Sequence, residues 1–248
     1  MSQQRWMLPE GMTEALAPTS WALEALRRTL LDHYRAAGFD LMLSPLIEHL
    51  DSLLTGSAED LDRQTFKLID PVSGRLLGLR ADMTPQAARI AARHYADREV
   101  VRLCYIGTVL RAAAPEPGSS RSPRQVGCEI FGEPGLAADL EAIDLMLQTL
   151  LLAQIRSVAL DIGHVGVYRG VVQQLALSAR DEHELFALMQ RKSTPDLEAW
   201  ATALGLATGT RRTLTTLLGL NGGLEVLDQA VGGCSATVQQ SQGKNTGS

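Results

Sequence analysis

Cysteine is scarce in this chain of 248 residues: there are three, Cys104, Cys128 and Cys234. An odd count without C-x-x-C spacing excludes a disulfide framework and a zinc site built on that spacing. Long charge-free apolar runs are missing too. The most apolar stretch, residues 136–155, is broken by Asp139, Glu141 and Asp144, so it reads as an amphipathic helix and not a membrane span. The first apolar cluster contains Glu24, Arg27 and Arg28, which excludes a secretory leader there. No internal repeat is visible. A general excess of positive charge is absent as well. The net charge of −5 argues against a general nucleic-acid binder. The expectation is a reducing cytoplasm, with no metal, no cofactor and no membrane partner.

What is present is ordinary for a soluble domain: 45% hydrophobic and 21% charged residues, in a chain long enough to bury a sizeable core. The charge is unevenly spread. Between Arg75 and Arg124 there are nine arginines and four acids, a local balance of +5 that leaves the remainder near −10. A basic middle in an acidic protein suits an anionic ligand. Arginines on a water-facing helix side, such as Arg89 and Arg93, are the alternative.

The chain is organised around residues 100–133, which read as two strands joined by a loop too rich in turn formers for a tight hairpin. Alternation places Gln125, Gly127, Glu129 and Phe131 on one face, and Val126, Cys128 and Ile130 on the other. On the first strand Tyr105, Gly107, Val109 and Arg111 share a face. A polar face with a glycine between hydrogen-bonding side chains makes a floor for a small polar ligand, with Gly127 leaving room. A solvated sheet face with glycines at bulges remains the other reading. Cys104 and Cys128 fall on apolar faces as buried thiols.

Elsewhere, Thr19 or Ser20 is placed to cap a helix over residues 21–37, with Trp21, Ala25, Leu26, Leu30 and Tyr34 on its buried side and Gly38 at its stop. Residues 39–47 read as a strand, with Pro45 at an edge or end. A hairpin spans residues 65–80 around Asp70-Pro71-Val72-Ser73-Gly74. Thr84 suits the N-cap and Pro85 the first turn of an alanine-rich helix. Arg80, Asp82 and Thr84 alternate onto one face, either as site residues or as a cap with a surface ion pair. Residues 157–163 read as a strand, and helices dominate residues 175–230. The stretch 232–248 is polar and low in aliphatics, and is expected to be disordered.

These motifs resemble the class II aminoacyl-tRNA synthetases, in the histidyl branch, over residues 5–230. Residues 39–48 resemble the first class II motif. Residues 79–84 resemble the L-R-P-E-G-T segment that contacts the amino acid. Tyr105-Ile106-Gly107 with Leu110-Arg111 resembles Y-I-G-x-x-F-R of the second motif. Gln125-Val126-Gly127-Cys128-Glu129-Ile130-Phe131-Gly132 resembles the Q-x-G-x-E-x-F-G strand that holds the amino group of histidine. The resemblance implies an α+β fold, an antiparallel sheet flanked by helices with a helical insertion near residues 170–230. It also implies one core over residues 1–231 followed by the polar tail.

The departures bear on function. Ala81 and Asp82 replace proline and glutamate of the amino-acid segment. Ala113 stands where an active synthetase has the glutamate that fixes adenine, and alanine accepts no hydrogen bond. An arginine-bearing third motif and an anticodon-binding domain have no counterpart, as though the chain were truncated before the last strands of the sheet. That would expose a pairing edge. Such erosion resembles the ATP phosphoribosyltransferase regulatory subunits. This second resemblance implies no catalytic residues, a hetero-oligomer with the short-form catalytic phosphoribosyltransferase (a glycosyltransferase), and no tRNA. Histidine would then be a feedback effector in histidine biosynthesis, held by Asp82, Thr84, Gln125 and Glu129 with Arg111 near its carboxylate. A histidyl-tRNA synthetase, an amino-acid-activating relative or an inactive fragment of one are the alternatives, as is a pocket kept only for packing.

Overall fold

The computed structural model describes residues 7–54, 59–114, 116 and 118–228. Cys234 and the stretch expected to be disordered lie outside them. Two compact units divide the chain, Met1–Val158 and Ala159–Ser248.

The first unit opens with helix α1, Thr19–Ala36. Neither Thr19 nor Ser20 caps it. Pro18 holds the N-cap position without a side-chain bond, and the Ser20 amide is satisfied by the Leu16 carbonyl of the preceding turn. Leu30 and Tyr34 are buried as expected, but Trp21, in the first turn, is 70% exposed because the apolar cluster begins further along the helix. The single strand expected over residues 39–47 is two short ones, β1 (Asp40–Leu41) and β2 (Ile47–His49). The break falls at Ser44-Pro45, whose carbonyls are taken by the side chains of Arg80 and Gln86 and are lost to any ladder. Helices α2 (Leu50–Leu53) and α3 (Glu59–Gln64) follow.

Strands β3 (Phe66–Ile69) and β4 (Leu76–Leu79) form the expected hairpin, with Phe66 opposite Leu79. Asp70 makes the turn: its carboxylate accepts the amides of Val72 and Ser73. β2 pairs with the other side of β4, giving the order β2-β4-β3. Residues 80–83 then lead into helix α4, Thr84–His94. Their backbone is fixed at both sides, with the Arg80 amide donating to the Leu46 carbonyl and the Leu110 amide to the Arg80 carbonyl.

Strands β5 (Val101–Thr108) and β6 (Arg124–Phe131) pair antiparallel, and β1 adds in parallel on the far side of β5. The two faces of this sheet bury different partners. Val101, Leu103 and Tyr105 pack with Met42 and with Met83, Ala87 and Ala91 at and along α4. Cys104, Ile106, Cys128 and Ile130 pack against Leu30 and Tyr34 of α1 and against Leu145 of helix α5, Leu136–Leu152. Period-2 alternation in β5 and β6 thus builds two thin cores, one on each side of a single strand pair. Cys104 and Cys128 are free thiols, Cys104 fully buried and Cys128 half-buried. Burial pushes the Cys104 thiol up to about 11 and the Cys128 thiol up to about 12, so both stay protonated at neutral pH.

Arg89, expected on a water-facing helix side, is half-buried. It pairs with the Glu48 carboxylate at 2.6 Å, and Glu48 also accepts from Gln86, which is wholly buried. Gln86 in turn accepts from the Ser44 hydroxyl. This chain of bonds satisfies every polar atom of the Gln86 side chain and locks α4 to the segment before β2. Residues 157–163 form no strand. Val158, Leu160 and Ile162 are exposed, so their alternating apolar side chains find no core to pack against.

The second unit is a helical bundle of α6 (Val165–Leu175), α7 (Ala179–Arg191), α8 (Thr194–Ala203) and α9 (Thr208–Gly219). Ser178 caps α7 by accepting the Asp181 amide. The bundle has its own core of Val172, Leu185, Leu188, Leu197, Trp200 and Leu214.

Candidate functional site

Four of the five residues singled out from the sequence meet over the α4 side of the β5–β6 pair. Asp82 precedes α4, and its Oδ1 accepts the Thr84 amide at 3.0 Å and Gln125 Nε2 at 2.7 Å. The Gln125 carbonyl oxygen accepts the Met83 amide at 2.9 Å. Thr84 is therefore the first helical residue and not the N-cap; the carboxylate two residues earlier takes its amide and leaves its hydroxyl free. That hydroxyl donates to Glu129 Oε1 at 2.8 Å. The hydroxyl of Tyr105 donates to the same oxygen at 3.0 Å and stands 3.0 Å from Thr84 Oγ1. One connected network thus runs from β6 through the start of α4 and back to β6.

Its unused atoms define what it can bind. Asp82 Oδ2 and Glu129 Oε2 make no hydrogen bond to any described residue. Two half-committed carboxylates joined through neutral donors suit a cationic group, such as an ammonium or an imidazolium. Tyr105, only 2% exposed, was not among the residues expected to form the site. Burial pushes its phenol well above the usual range, so it stays a neutral donor to Glu129. The signal was available, since Tyr105 shares the alternating face of Gln125 and Glu129.

Gly127 does not leave room for a ligand. It pairs directly with Tyr105 in the ladder, and a Cβ there would collide with the Tyr105 ring and hydroxyl. The space belongs to the tyrosine. Gly107 is similar: a Cβ would stand 2.6 Å from Arg80 Nη2 and 2.9 Å from the Met83 sulfur.

Arg111 does not join the network. It lies four residues beyond Gly107, about 13 Å along an extended chain. Its backbone bridges to Thr65, and its Nε is buried without a partner. Nearby, Arg121 donates to the carbonyls of Arg111 and Glu10 and stacks on Phe66. These residues flank a hollow of about 420 Å³ lined by Ala112, Ala113 and Ala114. A separate hollow of about 260 Å³ lies on the opposite face of the sheet, lined by Phe39, Cys128, Ile130 and Leu145. Its walls are mainly apolar, which does not suit a small charged ligand. Among the described residues no cluster of three acidic, His or Cys side chains could hold a metal, and no helix is long and apolar enough to cross a membrane.

The histidyl-tRNA synthetase family model matches residues 11–243. The ATP phosphoribosyltransferase regulatory subunit of Methylococcus capsulatus is 49% identical over 92% of this chain and 56% of its own length. That of Thiobacillus denitrificans is 45% identical over 91% of this chain and 70% of its own length. The chain belongs to the histidyl-tRNA synthetase family, in its ATP phosphoribosyltransferase regulatory-subunit branch. A Bacillus halodurans structure described as an ATP phosphoribosyltransferase regulatory subunit/histidyl-tRNA synthetase aligns with a TM-score of 0.80. It is 27% identical and covers 98% of this chain and 64% of its own. The histidyl-tRNA synthetase of a Nostoc species shares the fold, with a TM-score of 0.69 at 18% identity over 95% of this chain and 53% of its own. The α+β class and the synthetase-like sheet expected from the motifs are therefore those of the chain. It spans 56–57% of the length of most of the curated relatives it matches.

Proposed function

We propose that this chain is a non-catalytic regulatory subunit that serves a short-form ATP phosphoribosyltransferase in the cytoplasm, and that histidine acts on it as a feedback effector. The observation that carries the proposal is the Asp82–Thr84–Gln125–Glu129 network, in a chain whose relatives bear the regulatory-subunit name. Histidine offers a cationic ammonium and an imidazole, and the network offers two open carboxylate oxygens. Ala113 speaks against independent ATP chemistry, because its methyl group cannot hold an adenine amino group. Feedback requires histidine to bind one state of the assembly more tightly than the other, a coupling of about 1–3 kcal/mol.

The test is phosphoribosyl-ATP formation by the catalytic subunit, with and without this chain, as histidine is titrated. The expected result is activation by the chain and suppression by histidine. Asp82→Ala and Glu129→Ala each remove a charge-assisted bond and are expected to raise the histidine needed for half suppression by roughly 10–100-fold. Histidine-dependent ATP–pyrophosphate exchange without activation would instead support an amino-acid-activating enzyme.

A further inference from the structure

Cys104 and Cys128 stand directly opposite each other in the β5–β6 ladder, and both belong to the cluster on the α1–α5 side of the sheet. Their pairing is of the closer kind. The Cys104 carbonyl accepts the Met42 amide at 2.9 Å, so the main-chain groups of Cys104 face β1 and not β6. Val109, at the opposite parity, sends its amide across to the Pro123 carbonyl. The two cysteines are thus a non-hydrogen-bonded pair, with Cα atoms about 4.5 Å apart and side chains drawn together. A disulfide spans Cα separations of about 4.4–6.8 Å, so the bond closes with little movement of either strand. The two thiols differ in access. Cys104 is 1% exposed, whereas Cys128 is half-buried and lines the apolar hollow beside Val126 and Met146, which open to solvent.

We propose that Cys104 and Cys128 are a modification site: hydrogen peroxide entering the hollow oxidises Cys128, and Cys104 resolves the product into a reversible cross-strand disulfide. The Cys128 sulfur attacks one peroxide oxygen, the O–O bond breaks, and the released hydroxide takes the thiol proton as water, leaving a sulfenic acid. The Cys104 sulfur then attacks Cys128 Sγ, the S–O bond breaks, and the hydroxyl leaves with the Cys104 proton as a second water. Two thiols have lost two hydrogens, and one peroxide has become two waters. Both thiols are protonated at neutral pH, so the reaction is slow and the resting pair is the dithiol. The crosslink closes the loop between β5 and β6. None of this depends on what the network on the other face of the sheet binds.

The test uses the full chain carrying Cys234→Ser, which removes the third thiol. The folded chain is treated with hydrogen peroxide, free thiols are blocked in urea, and the intact mass and the peptide map are read. The expected product is a single chain lighter by two hydrogens, with the Cys104 and Cys128 peptides joined. Its urea midpoint is expected to lie above that of the reduced chain, because the unfolded state is constrained. Dithiothreitol is expected to restore both thiols and the original midpoint. In Cys104→Ala the expected product is a Cys128 sulfenic acid that dimedone traps, and in Cys128→Ala the Cys104 thiol is expected to stay reduced. Should either variant fail to fold, the crosslink in the Cys234→Ser chain decides by itself. Two thiols left free in the treated chain would overturn the proposal. So would Cys128 carried on to a sulfinic acid with no crosslink, or a disulfide joining two chains. Oxidation of Cys104 in Cys128→Ala as fast as in the parent would overturn the assigned order of attack.

Discussion

The hydroxyl of Tyr105 settles how Glu129 is used, and Gly127 settles where Tyr105 lies. The tyrosine ring covers the glycine directly opposite it and carries its oxygen to the carboxylate. A methyl group at residue 127 cannot coexist with that ring. Gly127→Ala is therefore expected to destabilise the fold by about 1–3 kcal/mol through overpacking. It should also weaken histidine binding, because Glu129 loses the Tyr105 hydroxyl. Urea denaturation and calorimetric titration of the same sample check both effects. A stable variant with unchanged binding would show that the ring can move aside without consequence.

Each face of the β5–β6 pair is held by helices in its own way. On one side α4 is locked by the buried Gln86 and the Arg89–Glu48 pair. On the other, Arg102 of β5 grips Glu141 of α5 through two bonds, at 3.1 and 3.0 Å. The Arg102 guanidinium holds the Glu141 carboxyl below its ordinary value of 4.5. A carboxyl depressed in the folded state contributes stability above its unfolded pKa and loses it as pH falls through the folded value. The chain is thus expected to lose stability below about pH 4.5, and Arg102→Gln should flatten that acid limb while lowering stability slightly at neutral pH. Both groups are about one-third exposed, so the effect is modest. Denaturation midpoints measured across the acid range for the two chains test the sign.

At the scale of the molecule there are two hydrophobic systems, one around the sheet of the first unit and one inside the helical bundle of the second. Leu214 is fully buried in the bundle beside Trp200, itself 9% exposed, whereas Trp21 is open to solvent. Leu214→Ala is expected to cost the bundle about 2–5 kcal/mol through the cavity it leaves. The loss is read by the fluorescence of Trp200 during denaturation, and an unshifted transition would show that the bundle core refills. β6 is the outer strand of its sheet among the described residues. Local chemistry determined much of this protein by itself. Period-2 patterning in residues 101–108 and 124–131 fixed both strands and their faces, because side chains must alternate about a pleated backbone. The Asp70–Gly74 turn, the shared face of Asp82 and Thr84 and that of Gln125 and Glu129 were equally legible, while the joining of the two pairs was implied by the family resemblance. Tertiary structure decided what depends on neighbours distant in sequence: that Tyr105 fills the space over Gly127, that Arg89 turns inward to Glu48, that residues 157–163 stay unpaired, and that the backbone of Arg111 bridges to Thr65. Sequence patterns report which face a residue occupies. Only the packed chain reports what already occupies that face, since the volume above a glycine and the partner of a buried charge are set by segments tens of residues away.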